Sequence, residues 1–350
     1  MNSLWRTTRL TACAAILLTG STGALIPSPS FGQEKTAADQ KPSEFLDALR
    51  KAAEQGDADA QAKLGMMYFL GQGVPQDFAE AARWSRKAAE KGDASAQAML
   101  GFVYERGQGV PQDFAEAARW NRKAAEQGSA LAQTSLGVMY VNGEGVPQDD
   151  AEAVRWLRKA AEQGFALAQA KLGMAYADGL GAPQDYTEAV RWFRKAAEQG
   201  DATGQVELGL MCGEGHGVPQ DYAEAARWFR KAADQGDAMA QFDLGDACYD
   251  GKGVTQDYAE AARWFRKAAE QGLAQAQHNL GLMYSHGQGV PQDYVQAHKW
   301  LNLAASHASG DDQKKYADHR DSLAGKMTAQ QIAEAQRLAR DWKPKPEGQR

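Results

Sequence analysis

The residues best placed to do chemistry lie in the second half of the chain. Asp243, Asp246 and Asp250 are spaced i, i+3, i+7, which sets three carboxylates on one face of a helix. Asp178 and Glu214 precede Asp250 in steps of 36, and Glu207 precedes Asp243 by the same step. Such a row can hold a basic segment or supply a general acid and base. Most other acids sit at helix starts or ends, so no acid–base pair stands out and no catalytic residue is assigned. The six histidines are His216, His278, His286, His298, His307 and His319. Their spacings match no standard zinc motif. A divalent-ion site at His278 and His286, near the acidic copies, competes with independent packing or surface roles, and we expect the latter, with no metal and no cofactor. Cys212 and Cys248 are 36 apart, where stacked repeats would hold equivalent Cα atoms roughly 10 Å from each other. A disulfide needs less than about 7 Å, so two buried thiols are expected. The Gly-x-Gly elements precede Val-Pro instead of joining a strand to a helix, so they read as helix stops and not as a phosphate cradle. No nucleophile elbow occurs, and the chain is not expected to be an enzyme.

Composition narrows the classes further. The chain has 350 residues with 39 Lys+Arg and 45 Asp+Glu, a formal net charge of −6, and mean hydropathy of −0.57. A nucleic-acid binder normally carries a basic excess on one face, so none is expected as a partner. Three cysteines exclude a disulfide-dense scaffold. Residues 1–32 read as a secretory signal peptide, with Arg6 and Arg9 before the apolar run Leu10–Leu18, then Ser30 and Gly32 as a small-x-small cleavage site. Leu10–Cys13 has the letters of a lipoprotein box, but it precedes most of the apolar run, and Cys13 reads as part of the discarded segment. Removing 1–32 deletes two Arg and no acid, which takes the net charge from −6 to −8. No 18-residue apolar run lies beyond that segment, so no membrane span is expected after processing and the protein is expected in the periplasm or outside the cell. Residues 33–43 are polar and read as a flexible leader.

The elements that must position these side chains come from a tandem repeat. Trp84, Trp120, Trp156, Trp192, Trp228, Trp264 and Trp300 recur at an interval of 36, and so do Gln61 to Gln277 and the Leu-Gly pairs from Leu64 to Leu280-Gly281. Each copy parses into two helices. In the first copy, one runs from about Ala58 to Leu70 and is stopped by Gly71 and Gly73. Pro75 turns the chain, and Asp77 with Glu80 predicts a capping box for the next helix, repeated at Asp113/Glu116, Asp149/Glu152, Asp185/Glu188, Asp221/Glu224 and Asp257/Glu260. The tryptophans fall on the second helix. A sugar- or base-stacking ladder is one reading of them, but their company of invariant Ala and Leu favours packing between repeats.

The pattern LGxxYxxGxGVxxD…A…W…KAAExG resembles the Sel-one-like repeat (SLR), a relative of the tetratricopeptide repeat, over residues 57–308. The resemblance implies an all-α, right-handed α-solenoid superhelix of helix-turn-helix repeats with a concave face. It also implies adaptor work in envelope, secretion, signalling or quality-control assemblies. A cysteine-rich branch of that family bridges helices within each repeat, and some of its members are described as β-lactamases. This chain lacks the intra-repeat Cys pairs, so that activity is not implied. Residues 44–56 match an N-terminal capping half-repeat. Residues 309–342 depart from the pattern and read as two C-terminal capping helices, the second with a Thr328/Gln331 box; residues 343–350 read as a disordered tail.

Comparison of the seven copies locates a variable side. On the first helix, positions equivalent to 60, 61, 64, 65 and 68 hold nearly constant residues and share one side, while 59, 62, 63, 66 and 70 change in every copy. The early copies place Lys63, Met66, Leu70, Met99, Phe102, Arg106, Ser135, Val138 and Asn142 there. Later copies place Asp178, Glu207, Glu214, Asp243, Asp246 and Asp250 there, with Met174, Leu210 and Leu282 as expected exposed apolar neighbours. The variable side is either plain solvated surface or a groove with an apolar end and an acidic end for a protein segment carrying basic residues. The expected function is an exported adaptor that binds protein. An envelope hydrolase would instead need a localised cleft with paired, shifted carboxylates. A secreted host-directed effector would use the same groove. Oligomeric state is not encoded legibly.

Overall fold

Every helix start and stop among residues 42–345, the part of the chain that the computed structural model describes, has an identifiable local cause. The expected signal peptide and nearly all of the expected leader lie outside the described residues. Helix α1 (Pro42–Glu54) is followed by the pairs α2 (Ala58–Leu70) and α3 (Phe78–Glu90), α4 (Ala94–Arg106) and α5 (Phe114–Glu126), α6 (Ala130–Asn142) and α7 (Asp150–Glu162). The pairs α8 (Ala166–Asp178) and α9 (Tyr186–Glu198), α10 (Ala202–Glu214) and α11 (Tyr222–Asp234), α12 (Ala238–Asp250) and α13 (Tyr258–Glu270), α14 (Ala274–His286) and α15 (Tyr294–His307) follow. Helices α16 (Gly310–Ala324) and α17 (Ala329–Arg340) end the series. The fold is an all-α repeat solenoid, as the pattern predicts. It divides into two compact units, one up to Gln163 together with Leu180–Ala182, the other comprising Gly164–Gly179 and Pro183 onward.

The Asp-x-x-Glu signature does not form capping boxes. Asp77 does accept from the backbone N–H groups of Ala79 and Glu80. Its own N–H, however, donates to the Tyr68 carbonyl at 3.0 Å. Nothing is left for the Glu80 side chain to satisfy at that end, and Glu80 turns forward instead. Its Oε2 accepts from Trp84 Nε1 at 3.1 Å and from Arg83 at 2.6 Å. Glu116 repeats the arrangement with Trp120 and Arg119. The box expected at Thr328 is real: Thr328 N–H donates to Gln331 Oε1, and Gln331 N–H to Thr328 Oγ1.

Both units bury the same positions. In the first, Leu64, Leu100 and Leu136 are fully enclosed, and Trp84, Trp120 and Trp156 are at most 5 % exposed. In the second, Leu172, Leu208, Leu244 and Leu280 are enclosed, with Trp192, Trp228, Trp264 and Trp300 buried. Each indole spends its N–H or its face on charged neighbours from its own helix. Lys87 Nζ stands 4.2 Å from the Trp84 ring centre and Lys123 Nζ 4.4 Å from that of Trp120.

The recurring glutamine is a clamp between successive copies. Gln133 Nε2 donates to the Ala125 carbonyl at the end of α5, and Gln133 Oε1 accepts from Gln163 Nε2 just past α7. In the second unit Gln205 and Gln241 make the same pair of bonds. The clamp ends where its partner changes. Lys91 stands where later copies have Gln and donates to the Gly56 carbonyl, so Gln61 Oε1 is buried without a partner. At the other end His307 Nδ1 takes the place of Gln at Gln277 Oε1. Gln133→Leu orphans a buried carbonyl and an amide, and should cost about 1–3 kcal/mol. Gln61→Leu, with one bond fewer to lose, should cost less. Urea-unfolding midpoints of the two variants check the ordering.

Cys212 and Cys248 are free, buried thiols, and burial pushes each pKa up to about 11. They replace a tyrosine that elsewhere receives an arginine from the preceding copy, as at Arg122–Tyr140 (2.6 Å) and Arg266–Tyr284 (2.7 Å). With no phenol to meet, Arg194 and Arg230 turn to Glu224 and Glu260 of the next second helix.

The C-terminal end is closed by side chains outside the repeat. Trp342 meets Trp300 edge-on with ring centres 6.4 Å apart. The expectation of a loose tail from Lys343 needs correction for its first residues. Lys345 donates its backbone N–H to the Glu270 carbonyl at 2.8 Å and pairs its ammonium with the Glu270 carboxylate. Residues 346–350 lie outside the described residues.

Candidate functional site: the variable face of the first helices

In the first unit the expected strip is mostly packed away. Phe102 and Met99 are only 7 % and 4 % exposed. They belong to one apolar cluster with Phe69 and Val103, and the Phe69 and Phe102 rings meet edge-on at 5.7 Å. The physical reason is that a first helix touches the first helices before and after it as well as its own partner. A side opposite the pair interface is therefore not open to solvent along its whole width. Met174 lies in the register of Phe102, two copies on, and is 5 % exposed. These two residues are corrected from exposed to core. Met66, Leu210 and Leu282 are half-buried. Lys63 remains exposed and pairs with Asp59 at 2.5 Å. Arg106 is half-buried, with its guanidinium 5.6 Å from the Phe102 ring centre and 4.0 Å from Glu105. Burial raises the Glu105 pKa, the Arg106 charge opposes that, and Glu144 adds to it.

In the second unit the carboxylates do gather. Glu207 on α10 and Asp243 on α12 are half-buried, and Asp178, Glu214 and Asp250 are exposed around them. Burial pushes Glu207 up to about 7, with Asp178 and Glu214 adding to the rise and Lys171 opposing it. Asp243 is pushed up to about 7 by burial and then by the charges of Asp246, Asp237 and Glu207. Asp246 reaches about 6, again by burial first, then Asp250, against Lys252 and a hydrogen bond from Asn279. Salt bridging reaches only the rim, at Lys252–Asp250 (2.7 Å).

The row runs on into a polar chain that spacing alone does not reveal. Asn279 Nδ2 donates to Asp246 Oδ1 at 3.3 Å, and Asn279 Oδ1 lies 3.3 Å from His278 Nδ1. His278 Nε2 then meets His319 Nδ1 at 2.7 Å, while its ring stacks on Tyr316 with centres 4.3 Å apart. Burial pushes His278 down to about 4. Asn279 occupies the register of Lys63, Glu207 and Asp243, so the variable position itself carried that signal. The His278–His319 pair did not, because His319 lies outside the repeat. Among the described residues no group of three His, Cys, Asp or Glu is arranged to hold a metal ion.

These carboxylates give stability an unusual pH dependence. A folded pKa raised above the unfolded one contributes stability that is complete below the unfolded value and is lost as pH rises through the folded value. For Glu207, Asp243 and Asp246 that window runs from their ordinary 3.8–4.5 up to about 7. His278 acts oppositely: its contribution is complete above 6.5 and is lost as pH falls towards 4. Between pH 8 and pH 6 the acids dominate, so lowering the pH should stabilise the protein by about 1–2 kcal/mol. Glu207→Gln with Asp243→Asn should flatten that slope. Urea unfolding at both pH values decides it, and an unchanged slope would refute the shifts.

The comparisons with known proteins agree with this geometry. The Sel1 repeat model matches residues 49–57, 58–93, 94–129, 130–165, 166–201, 202–237, 238–273 and 274–309. The crystal structure of a Sel1 repeat protein from Oxalobacter formigenes is 38% identical, with 81% of this chain and 82% of that one covered and a TM-score of 0.64. A protective antigen of uropathogenic Escherichia coli with an SLR fold is 35% identical over 86% of this chain and 79% of its own, at a TM-score of 0.42. No curated protein matches. Sel1 repeat proteins generally mediate protein–protein interaction, and the family is typically a non-enzymatic scaffold. Eight matched segments tiled from residue 49 to residue 309 place this chain in the Sel1 repeat family.

Proposed function

We propose that this chain is an exported, non-enzymatic adaptor that binds a protein partner in the bacterial envelope. In this reading the second unit offers Asp178, Glu207, Glu214, Asp243, Asp246 and Asp250 to a segment carrying Lys or Arg. One observation carries it: Glu207 and Asp243 are half-buried like charges whose ionisation the empty fold disfavours. A cationic side chain laid between them would reverse that preference. Export is supported by Arg6, Arg9 and the apolar run Leu10–Leu18. Among the described residues no helix is long and apolar enough to cross a membrane.

The test is affinity capture from envelope extract. The bait is residues 33–350, beside a variant with Asp243, Asp246 and Asp250 changed to Asn. A protein retained by the first and lost by the second supports the reading. Its binding should strengthen from pH 6 to pH 8, as the carboxylates ionise, and weaken with salt. Equal retention by both baits refutes the acidic face. Recovery of the chain outside the cell in place of the envelope would favour a secreted effector using the same face.

The same raised carboxylates favour a second reading, an envelope hydrolase, which needs an acid held protonated near neutral pH. Release of soluble fragments from purified cell wall, abolished by Glu207→Gln, would select it over the adaptor.

A further inference from the structure

The first unit begins with an incomplete copy. Helix α1 is a second helix without a first, because Phe45, Leu46 and Leu49 stand 36 positions before Ala81, Ala82 and Ser85 of α3. One copy later, the surface made by Ala81, Ala82, Met99, Phe102 and Val103 is covered by α2, which supplies Met66, Phe69 and Leu70. All five of those covered residues are 7 % exposed or less. The equivalent residues at the start of the array are Phe45, Leu46, Lys63, Met66 and Met67. None of them is buried, and Phe45 is 44 % exposed. Between them lies a cavity of about 700 Å³, closed on one side by Leu49, Gln72 and Gly73.

We infer that this cavity is the vacant seat of a first helix, and that it is filled in trans by an amphipathic helix of a partner protein. The interface that continues into the seat states what it recognises. At the next junction the occupant is a helix presenting apolar side chains at i, i+3 and i+4, as Met66, Phe69 and Leu70 do. Phe45 and Leu46 in place of two alanines leave more apolar side chain for such a helix to cover. Exposed apolar surface gathered in a concavity is what a docking site requires, in contrast to single exposed residues such as Met239. The seat uses none of the carboxylates of the second unit, so it and the acidic face stand or fall separately.

The probe is a hydrocarbon-stapled, fluorescein-labelled peptide with the sequence of Ala58–Leu70, since an unconstrained helix of that length is marginal in water. It is titrated into the full chain and followed by anisotropy, beside a stapled scramble of the same composition. Saturable binding is expected, weakened at least tenfold by Phe45→Glu and unchanged by Met239→Glu. Both substitutions are at exposed positions, and circular dichroism with thermal midpoints confirms that each variant folds. No saturation, equal binding of the scramble, or equal affinity of the Phe45→Glu chain overturns the inference. Sedimentation should find the unliganded chain without a dimer that Phe45→Glu dissociates. Such a dimer would give the seat to a second copy and overturn it as well.

Discussion

Gly145→Ala should cost the protein roughly 3–5 kcal/mol, among the largest losses available to a single methyl group. Two effects combine. Gly145 has φ of 69°, a left-handed conformation that an L-residue adopts only at a cost of about 1–2 kcal/mol. A Cβ added there would also overlap the Phe114 carbonyl and the Ala115 amide, at the start of the second helix of the preceding copy. Those atoms are backbone in the first turn of α5, so no side chain can swing aside. The loop would have to lift off, and the contact that registers one copy on the next would go with it.

Gly73 supplies the control. Its φ is 70°, nearly identical, yet a Cβ there would meet only the flexible end of Met67 at 3.3 Å. Gly73→Ala should therefore lose only the conformational part, about 1–2 kcal/mol. Chemical denaturation of the two variants isolates the close approach, and equal losses would show that it contributes nothing. The contrast also bears on the seat at α1: the loop holding Gly73 makes no such approach, and that end of the array is open.

The repeat was legible because its period fixes every element at once. Asp before and Gly after each helix gave boundaries such as Ala58–Leu70 that the fold reproduces. What escaped was anything that depends on which neighbour a side chain meets. A helical wheel drawn on one copy has two sides, whereas a first helix in a stack is covered on more than one, and Phe102 and Met174 fell on that difference. The Asp-x-x-Glu spacing cannot tell whether the cap's own N–H is already bonded, as it is to the Tyr68 carbonyl. Burial was the missing term for the acidic face as well. Spacing put Asp243 and Asp246 together, but their raised pKa values come first from desolvation and only then from each other.

Trp120→Ala is expected to have an effect of similar size for a different reason. Trp120 is 4 % exposed and packs with Ala88, Ala89, Ala96 and Leu100, all from the copy before or its own first helix. Covering ~200 Å² of indole is worth up to about 5 kcal/mol, and large-to-small core changes of this kind cost about 3–5 kcal/mol. The indole also donates to Glu116 at 3.1 Å and lies under Arg119 and Lys123 at 4.8 and 4.4 Å. Trp120→Phe separates these roles, because it keeps most of the packing while losing the N–H and the larger ring face. It should cost about 1–2 kcal/mol. Solenoid stability is close to a sum of copies and the interfaces between them, so the alanine variant should do more than shift the urea midpoint. The transition should broaden or split, as the copies on either side of the weakened junction uncouple, while the phenylalanine variant keeps one cooperative step. A single sharp transition in both would mean that the junction at Trp120 does not control cooperativity, and that the clamp at Gln133 and the loop at Gly145 hold the neighbouring copies together without it.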